Sequence, residues 1–97
     1  MDTQRVLEAI QKERTQQIGK WGDQKHSHGK WLLILQEELG EVSKVILEGV
    51  GFENNPHLVE EMVQAAAVIV AWIEDYTRPI DPQIEAELRQ LYGGMDK

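Results

Sequence analysis

The feature that most constrains the fold is an unbroken run of nine apolar residues from Ala65 to Ile73. The run lies in a helix predicted from Pro56 to about Thr77, with Asn55 as its N-cap. A helix that is apolar on all faces needs burial on all faces. Since a chain of 97 residues can hardly surround such a helix, we expect it at the centre of a homodimer or larger assembly.

Helical periodicity predicts three more helices and no strand. Their expected bounds are Thr3 to Ile18, Gly29 or Lys30 to Glu48, and Pro82 to about Tyr92 with Asp81 as the cap. Glycines end the helices: Gly19 and Gly22 after the first, Gly49 and Gly51 after the second, and Gly93 with Gly94 after the last. The sequence therefore predicts a single all-α domain over residues 1–97, a four-helix bundle completed by homo-oligomerisation.

Composition excludes several classes of function. With 17 acidic and 10 basic side chains the net charge is −7, which argues against a surface that neutralises nucleic-acid phosphates. The chain has no cysteine, so disulfides and thiolate metal sites are excluded. The N-terminus lacks a signal-peptide pattern, and the longest apolar run is far below the roughly 18 residues that span a bilayer. We expect a soluble cytoplasmic protein with neither a nucleic-acid polymer nor a membrane as partner.

An acidic segment interrupts the apolar pattern of the second helix. Glu38 and Glu41 are three residues apart and Glu37 and Glu41 are four apart, so their carboxylates repel by about 0.2–0.5 kcal/mol per pair. Gly40 costs about 0.8–1 kcal/mol more than alanine would. Mg²⁺ offsets such costs, because it prefers carboxylate oxygens and keeps waters for a phosphate-bearing substrate. The alternative is a solvated acidic face with a lysine paired to Glu41 at the surface.

The polar stretch around the first connector allows two interpretations at each position. The second half of the first helix leaves only Ile18 for the core, which favours an exposed helix end over a wall of a solvent-filled cleft. Trp21 is interpreted as a plug over one end of the core more than as a platform for a base. His26 and His28 lie two apart without a third soft ligand, so they are interpreted as ordinary loop residues and not as zinc ligands.

The acidic residues belong to a longer pattern that resembles a known family. The second predicted helix contains Glu37-Glu38-x-x-Glu41, and the third contains Glu61-x-x-Gln64. This pattern resembles that of the MazG-like all-α nucleoside triphosphate pyrophosphohydrolases, whose signature is Glu-x-x-Glu and Glu-x-x-Asp on adjacent helices. A smaller phage- and bacterium-type branch is also similar. That similarity covers about residues 5–76 and includes Glu13-Arg14-x-x-Gln17-x-x-Lys20-Trp21-Gly22-x-Gln24-x-His26, then Trp31-Leu32, and the segment from Val63 to Glu74.

The resemblance implies Mg²⁺-dependent cleavage between the α- and β-phosphates of a nucleoside triphosphate, giving a monophosphate and pyrophosphate, with Mn²⁺ as a substitute metal. Glu38, Glu41 and Glu61 would be metal ligands. Gln64 stands at the usual aspartate position, where an amide oxygen can ligate Mg²⁺ but brings no charge. Glu37 would orient or deprotonate the attacking water. The substrate-binding residues implied are Arg14, Gln17, Lys20, Trp21 and His26.

Other functions remain open at this point. A catalytically weak nucleotide- or metal-binding regulator on the same scaffold is suggested by the missing acid at Gln64. Another alternative is a helical oligomerisation module, in which the acidic side chains are only solvated. Hydrolysis of phosphoribosyl-ATP on a similar fold is a related reaction, and the assembly is either a dimer or a tetramer.

Overall fold

The computed structural model of the protein describes residues 1–49 and 55–93, and those residues are helical with no strand. The all-α prediction is confirmed. The helices are α1 (Thr3–Trp21), α2 (His28–Glu48), α3 (Pro56–Tyr76) and α4 (Pro82–Tyr92). The predicted terminators Gly51 and Gly94 lie outside the described residues.

Short polar side chains begin the helices. Asp2 accepts a hydrogen bond from the backbone N–H of Arg5 at 2.9 Å, which satisfies one of the free donors of the first turn of α1. Asn55 and Asp81 cap α3 and α4 in the same way, and each is followed by a proline in the first turn. These last two caps confirm the sequence prediction.

The first connector is shorter than predicted. Gly19 lies inside α1, and the helix ends only at Gly22, whose φ of 72° favours glycine and whose N–H donates to the carbonyl of Ile18 at 2.8 Å. Lys20 and Trp21 are therefore in the last turn of α1. Ser27 caps α2 and accepts from the N–H of the third residue after it, so α2 begins one residue before the earliest predicted start.

Helix α3 is the centre of the molecule. It packs against α2 on one side and α1 on the other, while no Cα atom of α1 lies within 8 Å of one in α2. Its buried residues are small, which allows the neighbouring helices to approach closely. Trp31 of α2 packs against Val68 and Ala71 and forms the core with them. Because only α3 bridges α1 and α2, a notch is left between those two helices.

A single chain is open and extended. Its radius of gyration is 15.5 Å, whereas a compact domain of 100 residues has a value of about 13 Å. No Cα atom of α4 lies within 8 Å of a Cα atom in α1, α2 or α3. Thus three helices pack together in one chain and the fourth stands apart.

By length and composition alone, α3 is the one helix in the described part of the chain that could cross a membrane, with a mean hydropathy of 1.2. The central helix of a soluble protein meets the same criterion. In this chain 22% of the apolar window of α3 is buried.

Candidate functional site

A cavity of about 220 Å³ occupies the notch between α1 and α2, with α3 as its floor. It brings together several residues that lie far apart in the sequence. The lining residues are Arg14, Gln17 and Trp21 of α1, Gly22 and Gln24 of the connector, Trp31, Ile34 and Glu38 of α2, and Val68 and Ala71 of α3. Four of the site residues implied by the family resemblance therefore line this cavity: Arg14, Gln17, Trp21 and Glu38.

Among the described residues, Glu38 is the one carboxylate that lines this cavity, and acidic residues of three helices act on its charge. Burial is the main reason that the pKa of the half-buried Glu38 is raised above its usual value. The negative charges of Glu61 in α3, Glu41, Glu13 in α1 and Glu37 raise this pKa further, in that order. Among these charges, that of Glu61 has the largest effect on the pKa of Glu38.

Glu61 lacks a partner for one of its oxygens. Its Oε2 atom is buried and makes no hydrogen bond. An unsatisfied buried polar atom costs about 1–3 kcal/mol, and a charged one costs more. A cation at this position would remove that cost. It would also offset the negative charge that Glu61 exerts on Glu38.

The carboxylates of the described residues do not form a preformed metal-binding group. Within the described ranges, no three His, Asp or Glu side chains form a group that could hold a metal ion as they stand. The donor chemistry nevertheless suits Mg²⁺, which is commonly held by one or two carboxylates plus waters and substrate phosphates. The orphan oxygen of Glu61 is the structural observation that fits such a cation best.

The other predicted acidic-site residues lie around this pair. Glu41 is exposed one turn after Glu38, and Glu37 is exposed beside it. Gln64 is half-buried one turn after Glu61 on the same helix. Glu38 and Glu61 are therefore the two predicted carboxylates that are partly buried, whereas Glu37 and Glu41 are exposed.

The polar second half of α1 forms a wall of the cavity. Gln17 is only 8% exposed, and the Arg14 side chain is 11% exposed, with its Nε donating to Glu74 at 2.8 Å. Ile18, by contrast, is 44% exposed. The favoured interpretation of an exposed helix end therefore holds for Thr15, Gln16 and residues 18–21 but not for Arg14 and Gln17, which line the cavity. Arg14 and Gln17 line the solvent-accessible notch between α1 and α2. The apolar Ile18 is the next residue after Gln17 in the helix, so its side chain points in a different direction.

Trp21 stands at the mouth of the cavity. The indole is 60% exposed, and the ammonium nitrogen of Lys20 lies 5.7 Å from its ring centroid. The hydrophobic core contains Trp31 and not Trp21. The plug interpretation of Trp21 is therefore wrong, because α1 extends far enough to place this ring at the rim. An exposed ring beside a cation can stack on a base.

Asp75 of α3 holds the connector against the core. Its carboxylate accepts from the N–H of His26 at 3.0 Å and from the indole N–H of Trp31 at 2.8 Å. These two hydrogen bonds, the first being the larger cause, hold the pKa of Asp75 below its usual value. The His26 ring packs edge-on against Trp31 with centroids 4.8 Å apart. His26 therefore supports the cavity through Trp31 and does not itself line it.

His26 and His28 have separate partners. The Nδ1 atom of His28 accepts from the indole N–H of Trp72 at 2.9 Å, and His28 is the first residue of α2. His26 faces Gln24 and Trp31. The two imidazoles thus form no common ligand pair, and His28 is a helix residue where a loop residue was expected.

Sequence reasoning missed three contributors to this site. Glu13 was quoted in the family-like pattern without a role, although it lies one turn before Gln17 on the same side of α1. Gln24 was also in that pattern and lines the cavity. Asp75 gave no signal of its own, because its two donors are 44 and 49 residues away in the chain.

The chain matches no protein-family model, no curated protein and no solved structure. The family resemblance therefore rests on the residue pattern of the chain itself.

Proposed function

We propose that the protein is a Mg²⁺-dependent nucleoside triphosphate pyrophosphohydrolase of the MazG-like type, soluble and cytoplasmic. The observation that most supports the proposal is the buried Oε2 atom of Glu61, which has no hydrogen-bond partner, and whose carboxylate charge also helps to raise the pKa of Glu38 on another helix. Such acidic residues are costly for a purely structural protein. They are useful where a cation must be held beside phosphate oxygens.

Three carboxylates are the proposed metal ligands. Glu38, Glu41 and Glu61 would hold Mg²⁺, with Mn²⁺ as a substitute, and Gln64 would contribute its amide oxygen. The ion supplies charge neutralisation for the triphosphate and a lowered pKa for its bound water. Glu37, exposed beside Glu38, is the proposed residue that orients that water or takes its proton.

The opposite wall of the cavity suits the rest of a nucleotide. Gln17 and Gln24 offer amide donors and acceptors for a base edge, and Trp21 offers an exposed ring face. Lys20 lies beside that ring and suits a phosphate. Arg14 is already paired with Glu74, so its charge is partly neutralised and its role is to shape the cavity wall near the substrate. His26 acts through Trp31.

The test is hydrolysis of a panel of nucleoside triphosphates with Mg²⁺, measured as release of monophosphate and pyrophosphate. Glu38→Gln and Glu61→Gln should each lose about 100-fold or more in kcat/KM, because a metal ion contributes several kcal/mol to such a reaction. Glu60→Gln is the matched control, since Glu60 is exposed beside Glu61 on the same helix and is outside the proposed site. It should keep wild-type activity.

Two results would contradict the proposal. Absence of turnover across the panel, together with saturable nucleotide binding by calorimetry, would favour the binding-regulator alternative. Equal activity in wild type and both glutamine variants would show that the acidic pair has no part in catalysis.

The proposed fold is a MazG-like bundle that self-association completes. One face of α3 has apolar residues at alternating spacings of three and four, the pattern of a helix-packing seam. These residues, here called the α3 seam, are Val59, Met62, Ala66, Ile69, Ile73 and Tyr76, and the five larger ones are 39–64% exposed. An exposed apolar stripe of this regularity is typical of an interface.

A second stripe on α2 has the same spacing. Its residues are Leu32, Leu35, Leu39, Val42 and Ile46, three of them 42–48% exposed. Only Trp31 is buried among the predicted core positions of α2. Because α2 and α3 pack side by side, two copies that joined these faces would form a four-helix bundle.

A further inference from the structure

A second cavity, of about 230 Å³, lies where the connector and the start of α2 meet the end of α3. Its walls include the rings of His26, His28, Trp31 and Trp72 and the carboxyl group of Asp75. Trp31 is the one lining residue that it shares with the cavity of the candidate site, among the residues that the structure describes. Sites for drug-sized ligands have volumes of about 300–1,000 Å³, so this cavity suits a smaller group.

A hydrogen bond holds two of these rings together. The indole N–H of Trp72 donates to Nδ1 of His28 at 2.9 Å, and the two ring centroids are 5.9 Å apart. A ring nitrogen that accepts a hydrogen bond carries no proton, so the His28 ring is neutral in this arrangement. It therefore does not repel a cation. The indole beside it is the aromatic side chain that attracts a cation most strongly.

Asp75 supplies a negative charge beside these rings. Its Oδ2 atom accepts from the backbone N–H of His26 and from the indole N–H of Trp31, and these bonds keep its pKa below the usual value. The carboxylate is therefore ionised at neutral pH. Two cations, Arg78 and Lys25, also lower this pKa by smaller amounts, but neither lines the cavity. In the described part of the chain, Asp75 is thus the one Asp, Glu, Lys or Arg side chain in the cavity wall.

An organic cation without N–H groups fits these walls best. Aromatic rings attract positive charge but supply no lone-pair acceptor for an N–H donor. One oxygen of Asp75 already accepts from two donors. A quaternary ammonium group has no N–H to satisfy, and its charge is spread over methyl groups that pack on rings. Nucleotide phosphates, by contrast, are repelled by a carboxylate. The two cavities therefore differ in the charge of the ligand that they suit.

We propose that this cavity binds a small quaternary ammonium compound, with its methyl groups against His28 and Trp72 and its charge beside Asp75. Tyr76 also borders the cavity, but it belongs to the α3 seam, so the site is defined without it. The proposed binding depends neither on triphosphate hydrolysis nor on self-association. It gives a use to a carboxylate and a set of rings that the proposed nucleotide site does not employ.

The three tryptophans of the chain report on the two cavities through their indole N–H signals in a proton–nitrogen NMR spectrum. Choline is the probe. The signals of Trp72 and Trp31 should shift in a saturable way, while that of Trp21, which lines only the other cavity, should not. The matched ligand is the neutral alcohol in which a tert-butyl group replaces the trimethylammonium group. It has the same shape without the charge, so it should bind at least about 10-fold more weakly.

Asp75→Asn tests the role of the charge. An amide oxygen can still accept from the N–H groups of His26 and Trp31, so the variant keeps these supports of the connector. Its affinity for choline should fall about 10-fold, whereas its affinity for the neutral alcohol should not change. Asp81→Asn is the matched control, because Asp81 lies outside the cavity and asparagine caps a helix as well as aspartate does. It should bind choline as the wild type does.

Three results would overturn the proposal. The first is the absence of a saturable shift of the Trp72 signal with choline. The second is equal affinity for choline and the neutral alcohol, which would show that the cavity selects for shape alone. The third is unchanged affinity for choline in a folded Asp75→Asn variant. If that variant does not fold, the comparison of the two ligands on the wild type decides the question.

Discussion

The two faces of α3 differ in the size and the exposure of their side chains. The inner face, toward α1 and α2, has Ala65, Ala67, Val68 and Ala71, all buried. The outer face has the larger side chains of the α3 seam, which are 39–64% exposed. In an isolated monomer the larger apolar side chains would be expected inside. In α3 the small residues are buried and the large ones are partly exposed.

This difference separates two kinds of contact. Small residues let α1 and α2 approach α3 closely and leave room for a polar cavity between them. Large residues on the outer face have no counterpart within the chain, and burying an apolar side chain of this size contributes about 1.5–3 kcal/mol. The inner face thus stabilises the single chain, and the outer face is the proposed source of stability from a second copy.

A charge on the outer face of α3 is expected to have the largest effect. Ile69→Glu should raise the dissociation constant of the proposed dimer roughly 100-fold, about 3 kcal/mol, because an unpaired carboxylate would be buried at its centre. Sedimentation equilibrium measures the effect, and circular dichroism should show that helix content remains. An unchanged association state would mean that the outer face is simply solvated.

A neighbouring substitution tests the inner face. Val68→Ala should lower the free energy of unfolding by about 2 kcal/mol, because it leaves a space beneath Trp31 and Ala71 in the small core. Chemical denaturation at two protein concentrations measures this. The loss should be the same at both, unlike that of Ile69→Glu. A loss that depends on concentration would mean that the two faces are not separable.

The smallest expected effect concerns the polar end of the inner face. The pKa of Glu38 is raised in the folded protein, so its contribution to stability is present below its unfolded pKa and is lost as pH rises through the folded value. Glu38→Gln should therefore be more stable than wild type at pH 7, by less than about 1 kcal/mol because solvent screens the half-exposed carboxylate. The difference should vanish near pH 4.

Thermal denaturation across this pH range measures the change, and Glu48→Gln, on an exposed residue of the same helix, is the control. Mg²⁺ should raise the melting temperature of wild type more than that of Glu38→Gln, because a ligand that binds the folded state stabilises it. A variant that is less stable than wild type at pH 7 would contradict the assigned electrostatic strain.

Local patterns were enough to place the helices. Asn55 and Asp81 with their following prolines marked two helix starts, since capping depends on adjacent residues alone. The end of α1 was placed too early, because Gly19 is tolerated in a helix and only Gly22 adopts a positive φ. For the site, spacing indicated which acids share a helix. Spacing gave no indication that the charge of Glu13, on a third helix, would also raise the pKa of Glu38.

The sequence by itself determined the helical class and the capped starts of α3 and α4, because helical periodicity and capping depend on residues close together in the chain. Tertiary structure decided which polar residues turn inward. Arg14 and Gln17 line a cavity because α1 and α2 flank α3 without meeting each other. Asp75 fixes the connector through donors 44 and 49 residues away, a relation that only folding creates.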